Sequence, residues 1–172
     1  MASTGDKTQY NKILIIAQII LRILAIAVIL AATWLMLTNK QVASVFGVEM
    51  DARYSYSPAF KYFAYANLGA CVSSVLGLFL AIILGVKASN PTYFFFIFIH
   101  DLIIALLLVS ACAAATAIGH VGKYGDKHTG WLAICSFFPK FCNRSTLSVL
   151  MSYIGTLSYF FITILSASMS RQ

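Results

Sequence analysis

The sequence is poor in charged residues, which make up 10% of its 172 positions, whereas soluble domains carry about a quarter. Hydrophobic residues account for 60% of the chain, and the mean hydropathy is +0.87. This balance excludes an ordinary soluble domain and indicates an integral membrane protein. The net charge of +7 comes mainly from bases in loops and at the ends of apolar runs, where they meet lipid headgroups or set topology. Nucleic acid is therefore not an expected partner.

Signatures of catalysis are also missing from the sequence. It has no phosphate-binding loop, no zinc motif and no cofactor fingerprint. No serine, histidine and aspartate are spaced so that they would converge on one site. We therefore expect no enzymatic activity, no cofactor and no metal ion.

Four apolar runs are long enough to cross a bilayer, which requires about 20 residues per helix. They cover residues 13–37, 62–86, 93–118 and 146–167. The sequence therefore predicts an all-α bundle of four transmembrane helices that forms a single domain over residues 1–172. Two long outer loops, at about 38–61 and 119–145, would lie on the same side of the membrane.

The third run carries an acid, Asp101, near its middle. An ionised carboxylate at that depth costs roughly 2.5–3.5 kcal/mol, so we expect the chain to supply a basic partner. Arg22 lies deep in the first run, which points the same way as the third in an alternating bundle. Both residues lie roughly 12–14 Å from the same membrane face, at 1.5 Å per residue. The sequence therefore predicts an intramembrane ion pair, with Gln18 one turn from Arg22 as a further hydrogen-bonding group for either partner.

Small residues recur at every fourth position of the second run. Such a ridge lets another helix approach closely, because membrane helices associate by van der Waals packing. The partner helix belongs either to the same chain or to a second protomer. The ridge consists of Gly69, Ser73, Gly77, Ala81 and Gly85.

The second outer loop contains two cysteines, Cys135 and Cys142. In an oxidising compartment these thiols can close a small ring as a disulfide. The alternative is a zinc site completed by His120 and His128, although the spacing lacks the close ligand pairs of structural zinc sites. We favour the disulfide.

The basic residues and the cysteines predict opposite orientations. Most bases lie on the side of the two long loops, which under the positive-inside rule favours the cytoplasm for that side. A disulfide there favours the extracellular space, and we give it more weight. The expected topology has cytoplasmic termini and two extracellular loops, so the sequon at Asn143 is a candidate for N-glycosylation.

Short motifs along nearly the whole chain resemble the CASP-like family of plants, relatives of the Casparian-strip membrane domain proteins and distantly of the MARVEL four-helix proteins. Within that family, the chain resembles the first subgroup of CASP-like proteins. The segment 45–53 departs from the phenylalanine-rich signature of strip-forming members, which argues against a direct role in the strip. The matching residues are Leu21-Arg22-Ile23-Leu24-Ala25, Thr38-Asn39-Lys40-Gln41, Pro58-Ala59-Phe60-Lys61-Tyr62, Ala66-Asn67, Asp101, Lys123-Tyr124-Gly125, His128, Trp131, Ile134-Cys135 and Phe141-Cys142.

The resemblance implies a multi-pass plasma-membrane protein that forms homo- and hetero-oligomers with related CASP-like proteins, with Arg22 and Asp101 as family hallmarks. We expect a non-enzymatic scaffold that organises a membrane domain or recruits cell-wall-modifying partners. The alternative is a small-solute or ion transporter or channel, because intramembrane ionisable residues are functional candidates. Against it, the two charges neutralise each other. His100 should also point about 100° away from Asp101 around the helix, which leaves no proton relay.

Overall fold

The protein is an all-helical membrane bundle with one small hairpin. The computed structural model describes residues 4–45, 47–87 and 91–170. Four of its helices each contain a segment long and apolar enough to cross a membrane, as the sequence predicted. They are α1 (Thr4–Leu37), α2 (Pro58–Lys87), α3 (Pro91–Tyr124) and α4 (Pro139–Ser170).

Every helix extends beyond its predicted span. The 34 residues of α1 are about 51 Å long at 1.5 Å per residue, whereas the hydrocarbon core is about 30 Å thick. Hydropathy detects the apolar part of a helix, and polar turns that continue it into the headgroups leave no such signal. The largest differences are at the starts of two helices: α1 begins at Thr4 rather than near residue 13, and α4 begins at Pro139 rather than near residue 146.

The helices pack around a ring in chain order. Helix α1 contacts α2 and α4, and α3 contacts the same two neighbours. Helices α1 and α3 therefore face each other across the bundle, as do α2 and α4. We call the end near residues 4 and 170 the terminal end, and the end that carries the two long connections the loop end.

The first connection contains a β-hairpin that the prediction of a plain loop at 38–61 missed. Strand β1 (Lys40–Val45) pairs antiparallel with β2 (Val48–Arg53), and Gly47 adopts a positive φ of 82° in the turn between them. A 3-10 turn, Tyr54–Tyr56, then leads into α2. Strand β2 alternates strictly between apolar and polar residues, whereas β1 does not, and a two-stranded hairpin is marginal without packing against another element. Here that element is the bundle, which no local pattern reveals.

The second connection runs from Tyr124 to Pro139, so it is shorter than the predicted loop at 119–145, and it is built around a tight turn. Gly125 ends α3 in the left-handed region, with φ at 70°, and its amide donates to the Val121 carbonyl at 2.8 Å. A Cβ there would lie 2.6 Å from the Trp131 carbonyl oxygen, so only glycine fits. Asp126 and Trp131 exchange backbone hydrogen bonds of 2.9 and 3.0 Å. The chain is thus well ordered before Pro139 starts α4.

The core divides into two clusters along the bundle axis. The loop-end cluster is rich in aromatic side chains, which come from both connections as well as from the helices. The middle cluster is mostly aliphatic. The main members of the first are Met36, Val45, Phe60, Phe63, Phe138 and Phe141, and those of the second are Ala25, Ile29, Ile104, Leu108, Tyr159 and Ile162.

Candidate functional site

The structure brings Arg22 and Asp101 together in the terminal-end half of the bundle. Arg22 Nη2 on α1 donates to Asp101 Oδ2 on α3 at 2.5 Å, and both side chains are fully buried. The bond spans the ring diagonally, because α1 and α3 are not neighbours in it. Charge-assisted hydrogen bonds are among the stronger contacts available to a helix bundle.

Helix α4 adds a third member to the pair. Ser166 Oγ donates to Asp101 Oδ2 at 3.1 Å, and Gln18 Nε2 donates to Ser166 Oγ at 2.6 Å. Gln18 therefore reaches the carboxylate through a hydroxyl group, rather than by the direct contact expected from the sequence. The serine was missed because nothing in the pattern of α4 places Ser166 opposite Asp101. The network joins α1, α3 and α4.

His100 lies beside the pair, so the expectation that it points away from Asp101 is wrong. Its Nδ1 is 3.5 Å from Asp101 Oδ1, and the ring is partly exposed on the outer surface of the bundle. The angle of about 100° separates the Cα–Cβ directions of successive residues, but an imidazole has two torsions with which to fold back. Gly77 leaves room for it, because a Cβ there would lie 2.9 Å from Arg22 Nη1 and 3.0 Å from His100 Cε1.

The ion pair does not use all of its hydrogen-bonding capacity. Within the described residues, Arg22 Nε, Arg22 Nη1 and Asp101 Oδ1 are buried without a hydrogen-bond partner. An unsatisfied polar atom in a membrane interior is costly, because no water is available there to form a hydrogen bond with it. The site is therefore tightly held by a few contacts and retains donors and an acceptor that a further group can use.

A stripe of buried polar side chains follows the inner face of α4, and the sequence analysis missed it. Ser152 Oγ donates to Asn67 Oδ1 on α2 at 2.7 Å and accepts from Cys112 Sγ on α3 at 3.2 Å. Ser148 Oγ donates to the Ala32 carbonyl on α1 at 2.6 Å. The signal was available, because polar residues spaced three and four apart mark one helix face. The stripe consists of Ser145, Ser148, Ser152, Thr156, Tyr159, Thr163 and Ser166.

The start of α4 is held by two residues at the beginning of the first strand, Asn39 just before it and Gln41 within it. Gln41 Oε1 accepts from the Phe141 amide at 2.8 Å, so it satisfies one of the free N–H groups of the first helical turn. Asn39 Nδ2 donates to the Phe141 carbonyl and to Ser145 Oγ, both at 2.8 Å. Two residues of the motif Thr38-Asn39-Lys40-Gln41 thus hold the start of α4 in place. The hairpin and α4 are thereby locked together.

The residues of the small-residue ridge on α2 lie in different environments. Gly77 is buried against Arg22 and His100, whereas a Cβ added at Gly69 would meet nothing within 4 Å. Ser73 is half-buried. The surroundings of Ala81 and Gly85 lie outside the part of the structure that is described. The ridge therefore serves packing inside the chain at Gly77 and faces outward at Gly69.

The cysteines of the second connection are joined to each other. Cys135 and Cys142 form a disulfide with their Cα atoms 5.6 Å apart, which ties the turn before α4 to its first turns. The bonded sulfurs cannot serve as thiolate ligands, so the zinc alternative with His120 and His128 does not hold. Both histidines are exposed.

The sequon lies at the start of α4 rather than in a loop. Asn143 is exposed, but Ser145, the hydroxyl residue of the same sequon, is buried and bonded to Asn39. Glycosylation at Asn143 stays a prediction.

Fold and site together define a four-helix integral membrane protein, cross-braced by buried polar contacts. The Casparian strip membrane protein domain matches residues 11–158, and the chain belongs to this family. It is 51% identical over 171 residues to CASP-like protein 1F2 of Populus trichocarpa, covering 99% of this chain and 94% of that protein. It is 49% identical over 178 residues to CASP-like protein 1F1 of Vitis vinifera, covering 100% and 86%. No solved structure matches it.

Proposed function

We propose that this chain is a non-enzymatic scaffold of the plasma membrane that associates with itself and with related CASP-like proteins. Through such assemblies it organises a membrane domain or recruits cell-wall-modifying partners. Membership of the CASP-like family supports this proposal. The main observation that supports it is that the two buried charges, Arg22 and Asp101, bind each other and thereby join α1 to α3.

A scaffold requires a rigid body, and the interior of the bundle favours one. Arg22 and Asp101 brace one diagonal of the ring, and Asn67 and Ser152 brace the other between α2 and α4. Each bond restrains two helices that are not neighbours. The outward sides of the helices are mostly apolar, so they are available to lipid or to another protein.

We place the termini in the cytoplasm and the loop end outside the cell. The disulfide between Cys135 and Cys142 supports this orientation, because disulfides persist in oxidising compartments. Labelling of intact cells with a membrane-impermeant amine reagent tests it. Lys127 at the loop end should react without permeabilisation, and reaction only after permeabilisation would reverse the orientation.

Counting subunits tests self-association. Two copies of the protein, each with a different fluorescent tag on the C-terminus, should show energy transfer in plasma membranes at low expression levels. An unrelated four-span protein expressed at the same density provides the control. Energy transfer no greater than that control, together with single-step photobleaching, would contradict the scaffold.

A transporter or channel that uses Arg22 and Asp101 is the second candidate. It is favoured by the position of His100 beside Asp101 Oδ1 and by the polar atoms of the pair that lack partners. Flux measured in proteoliposomes decides between the two functions. A flux that disappears in Asp101→Asn, while that variant folds and assembles normally, would favour transport.

A further inference from the structure

The loop end of the bundle is positively charged although it carries the disulfide. It holds seven bases and three acids, and all seven bases are exposed. Under the positive-inside rule such bases favour the cytoplasmic side, so they oppose the orientation that the disulfide supports. Charges that oppose the topology indicate another role for them. The bases are Lys40, Arg53, Lys61, Lys123, Lys127, Lys140 and Arg144, and the acids are Glu49, Asp51 and Asp126.

Two of the three acids are already engaged within their own segments. Asp51 accepts from the Tyr56 hydroxyl at 3.0 Å and from Arg53 Nε at 2.5 Å, and these two groups hold the pKa of Asp51 below its usual value. Asp126 accepts from the His128 amide at 2.9 Å in the turn after α3. Among the residues that the structure describes, no base at this end other than Arg53 forms an ion pair. The positive charge is therefore largely uncompensated.

Four of the bases lie where the hairpin meets the start of α4. Lys40 lies directly opposite Arg53 in the strand register, and both side chains are exposed. Lys140 and Arg144 are four residues apart and so share one face of α4. Arg144 Nη2 donates to Thr38 Oγ1 at 3.2 Å, two residues before Lys40, which links the bases of the helix to those of the hairpin. We call Lys40, Arg53, Lys140 and Arg144 the basic corner.

The bases of this corner occupy positions that local electrostatics penalises. Lys40 and Arg53 are like charges directly opposite each other in a hairpin, even though Asp51 binds Arg53. Lys140 and Arg144 repel each other, as like charges four residues apart on a helix do. Lys140 also lies in the first turn of α4, at the positive end of the helix dipole, and no acid accompanies it there. Breaches of local rules are expected at functional sites, and a bound anion relieves all three of these.

The orientation and the layout of the corner favour an external polymer as the source of that anion. Anionic lipids are concentrated in the cytoplasmic leaflet, whereas the disulfide favours the opposite side for the loop end. A polymer with one carboxylate on each unit can pair at the same time with bases on β1, β2 and α4, whereas a small anion pairs with one or two. Arginine binds carboxylates through two parallel hydrogen bonds, and lysine binds them as a point charge. Relatives of the chain come from plants, whose extracellular polymers include polysaccharides of uronic acids.

We propose that the basic corner binds an acidic polysaccharide, a polymer of uronic acids, outside the cell. Lys40, Lys140 and Arg144 pair with carboxylates of the polymer, and Arg53 adds to the positive field around them. Such binding tethers the membrane scaffold to the cell wall. The inference rests on the orientation proposed above and adds a partner class to the scaffold.

Binding to polygalacturonate tests the inference with the full-length protein. Nanodiscs of phosphatidylcholine carry no net charge and leave both ends of the bundle accessible. The wild-type protein should bind the polymer at about 0.1 M salt and lose most of that binding at about 1 M, because the Debye length falls from about 10 to 3 Å. Fully methyl-esterified polygalacturonate is the matched control, since it keeps the sugar backbone and lacks the charges. Equal binding of the two polymers would overturn the inference.

Substitutions locate the binding surface. Lys40→Gln, Lys140→Gln and Arg144→Gln should each weaken binding about two- to fivefold, as loss of an exposed ion pair does, and the triple variant about tenfold or more. The pair Lys123→Gln/Lys127→Gln removes two exposed bases from the other connection and is the matched control for Lys140→Gln/Arg144→Gln. It should weaken binding less than about twofold. Equal losses in the two pairs would assign binding to the overall charge and overturn the basic corner.

Thermal unfolding distinguishes ligand binding from a structural role. Lys140 stands in an unfavourable local field, so Lys140→Gln should leave the unfolding temperature unchanged or raise it while it weakens binding. A lower unfolding temperature together with weaker binding would make Lys140 a structural residue and contradict its place in the corner.

The outcomes separate this inference from the orientation on which it rests. A wild-type protein that does not bind polygalacturonate overturns the inference, while labelling of Lys127 on intact cells still decides the orientation. If Lys127 reacts only after permeabilisation, both are wrong, whatever the nanodiscs bind. If the protein binds phosphatidylserine vesicles more tightly than polygalacturonate, and the corner variants lose that binding, the corner serves lipid headgroups and the inference is wrong.

Discussion

The two halves of the bundle interior are held by different chemistry. In the terminal-end half, one buried ion pair between Arg22 and Asp101 joins opposite helices, and three polar atoms of that pair have no hydrogen-bond partner among the described residues. In the loop-end half the bonds are neutral and more numerous. Asn67, for example, donates to the Phe63 carbonyl at 2.8 Å and accepts from Ser152. Aromatic packing adds to them, as between the rings of Phe60 and Phe141, 6.1 Å apart.

This difference determines how each half should respond to substitution. Loss of one partner from a buried ion pair leaves a charge in a medium of low dielectric constant, at a cost of about 3 to 5 kcal/mol. Hydrogen bonds between membrane helices are worth about 0.6 kcal/mol on average, up to about 1.7. The stability of the terminal-end half therefore depends mainly on one strong contact, and that of the loop-end half on a sum of small ones.

The largest effect is expected from the ion pair itself. Arg22→Leu and Asp101→Leu should each lower the free energy of unfolding by about 3 to 5 kcal/mol, and the double variant should recover much of that loss because no unpaired charge remains. The coupling is measured by a double-mutant cycle of unfolding in detergent or bilayers, together with abundance at the cell surface. Losses that add in the double variant would show that the two side chains do not stabilise each other.

Removal of the disulfide tests the loop-end half. The double variant Cys135→Ser/Cys142→Ser should lose about 2 to 3 kcal/mol, the chain-entropy estimate for so short a ring. Hydrogen exchange should rise between residues 126 and 142 and stay unchanged around Arg22. Peptide mapping under non-reducing conditions provides the direct check, since two freely alkylated thiols would contradict the bridge.

Substitutions along the small-residue ridge distinguish packing within the chain from packing on its outer surface. Gly77→Leu should destabilise the fold by about 1 to 3 kcal/mol, because the new side chain collides with Arg22 and His100. Gly69→Leu should leave stability unchanged, and so should Leu78→Ile. Thermal unfolding of the three variants measures the contrast. Reduced assembly of Gly69→Leu at normal stability would instead assign the outward part of the ridge to a second protomer.

The sequence predicted the features of the fold that the lipid bilayer imposes, and missed the features that depend on packing between segments. Apolar length predicts four spans because hydrocarbon imposes it, and Asp101 demands a base because an isolated charge is costly there. The cap at Gln41 depends on contacts between segments distant in sequence, and the position of His100 depends on its side-chain torsions. The alternation of apolar and polar residues in β2, by contrast, was a local signal for the hairpin that the prediction of a plain loop did not use. The polar residues of α4 were visible as a pattern, but Ser152 and Ser166 acquire their roles only from the helices opposite.

A neutral substitution in the loop-end half should have a smaller effect than either change at the ion pair. Asn67→Leu removes the acceptor of Ser152 and the cross-brace between α2 and α4, so a loss of about 1 to 2 kcal/mol is expected. Ser152→Ala, which removes the same bond from the other side, is the matched control and should lose less. A loss at Asn67 as large as that at Asp101 would abolish the distinction between the two halves.

The smallest effect is expected at Gln41, whose side chain satisfies the Phe141 amide from outside the helix. Gln41→Ala should destabilise the protein by about 1 kcal/mol, as loss of a helix N-cap does. Gln41→Glu should retain most of that stability at neutral pH, because a carboxylate also accepts from the amide and lies favourably near the positive end of the α4 dipole. Denaturant titrations of the two variants give the comparison. If both lose equally, the contribution of Gln41 comes from packing on the hairpin, and the start of α4 does not need this acceptor.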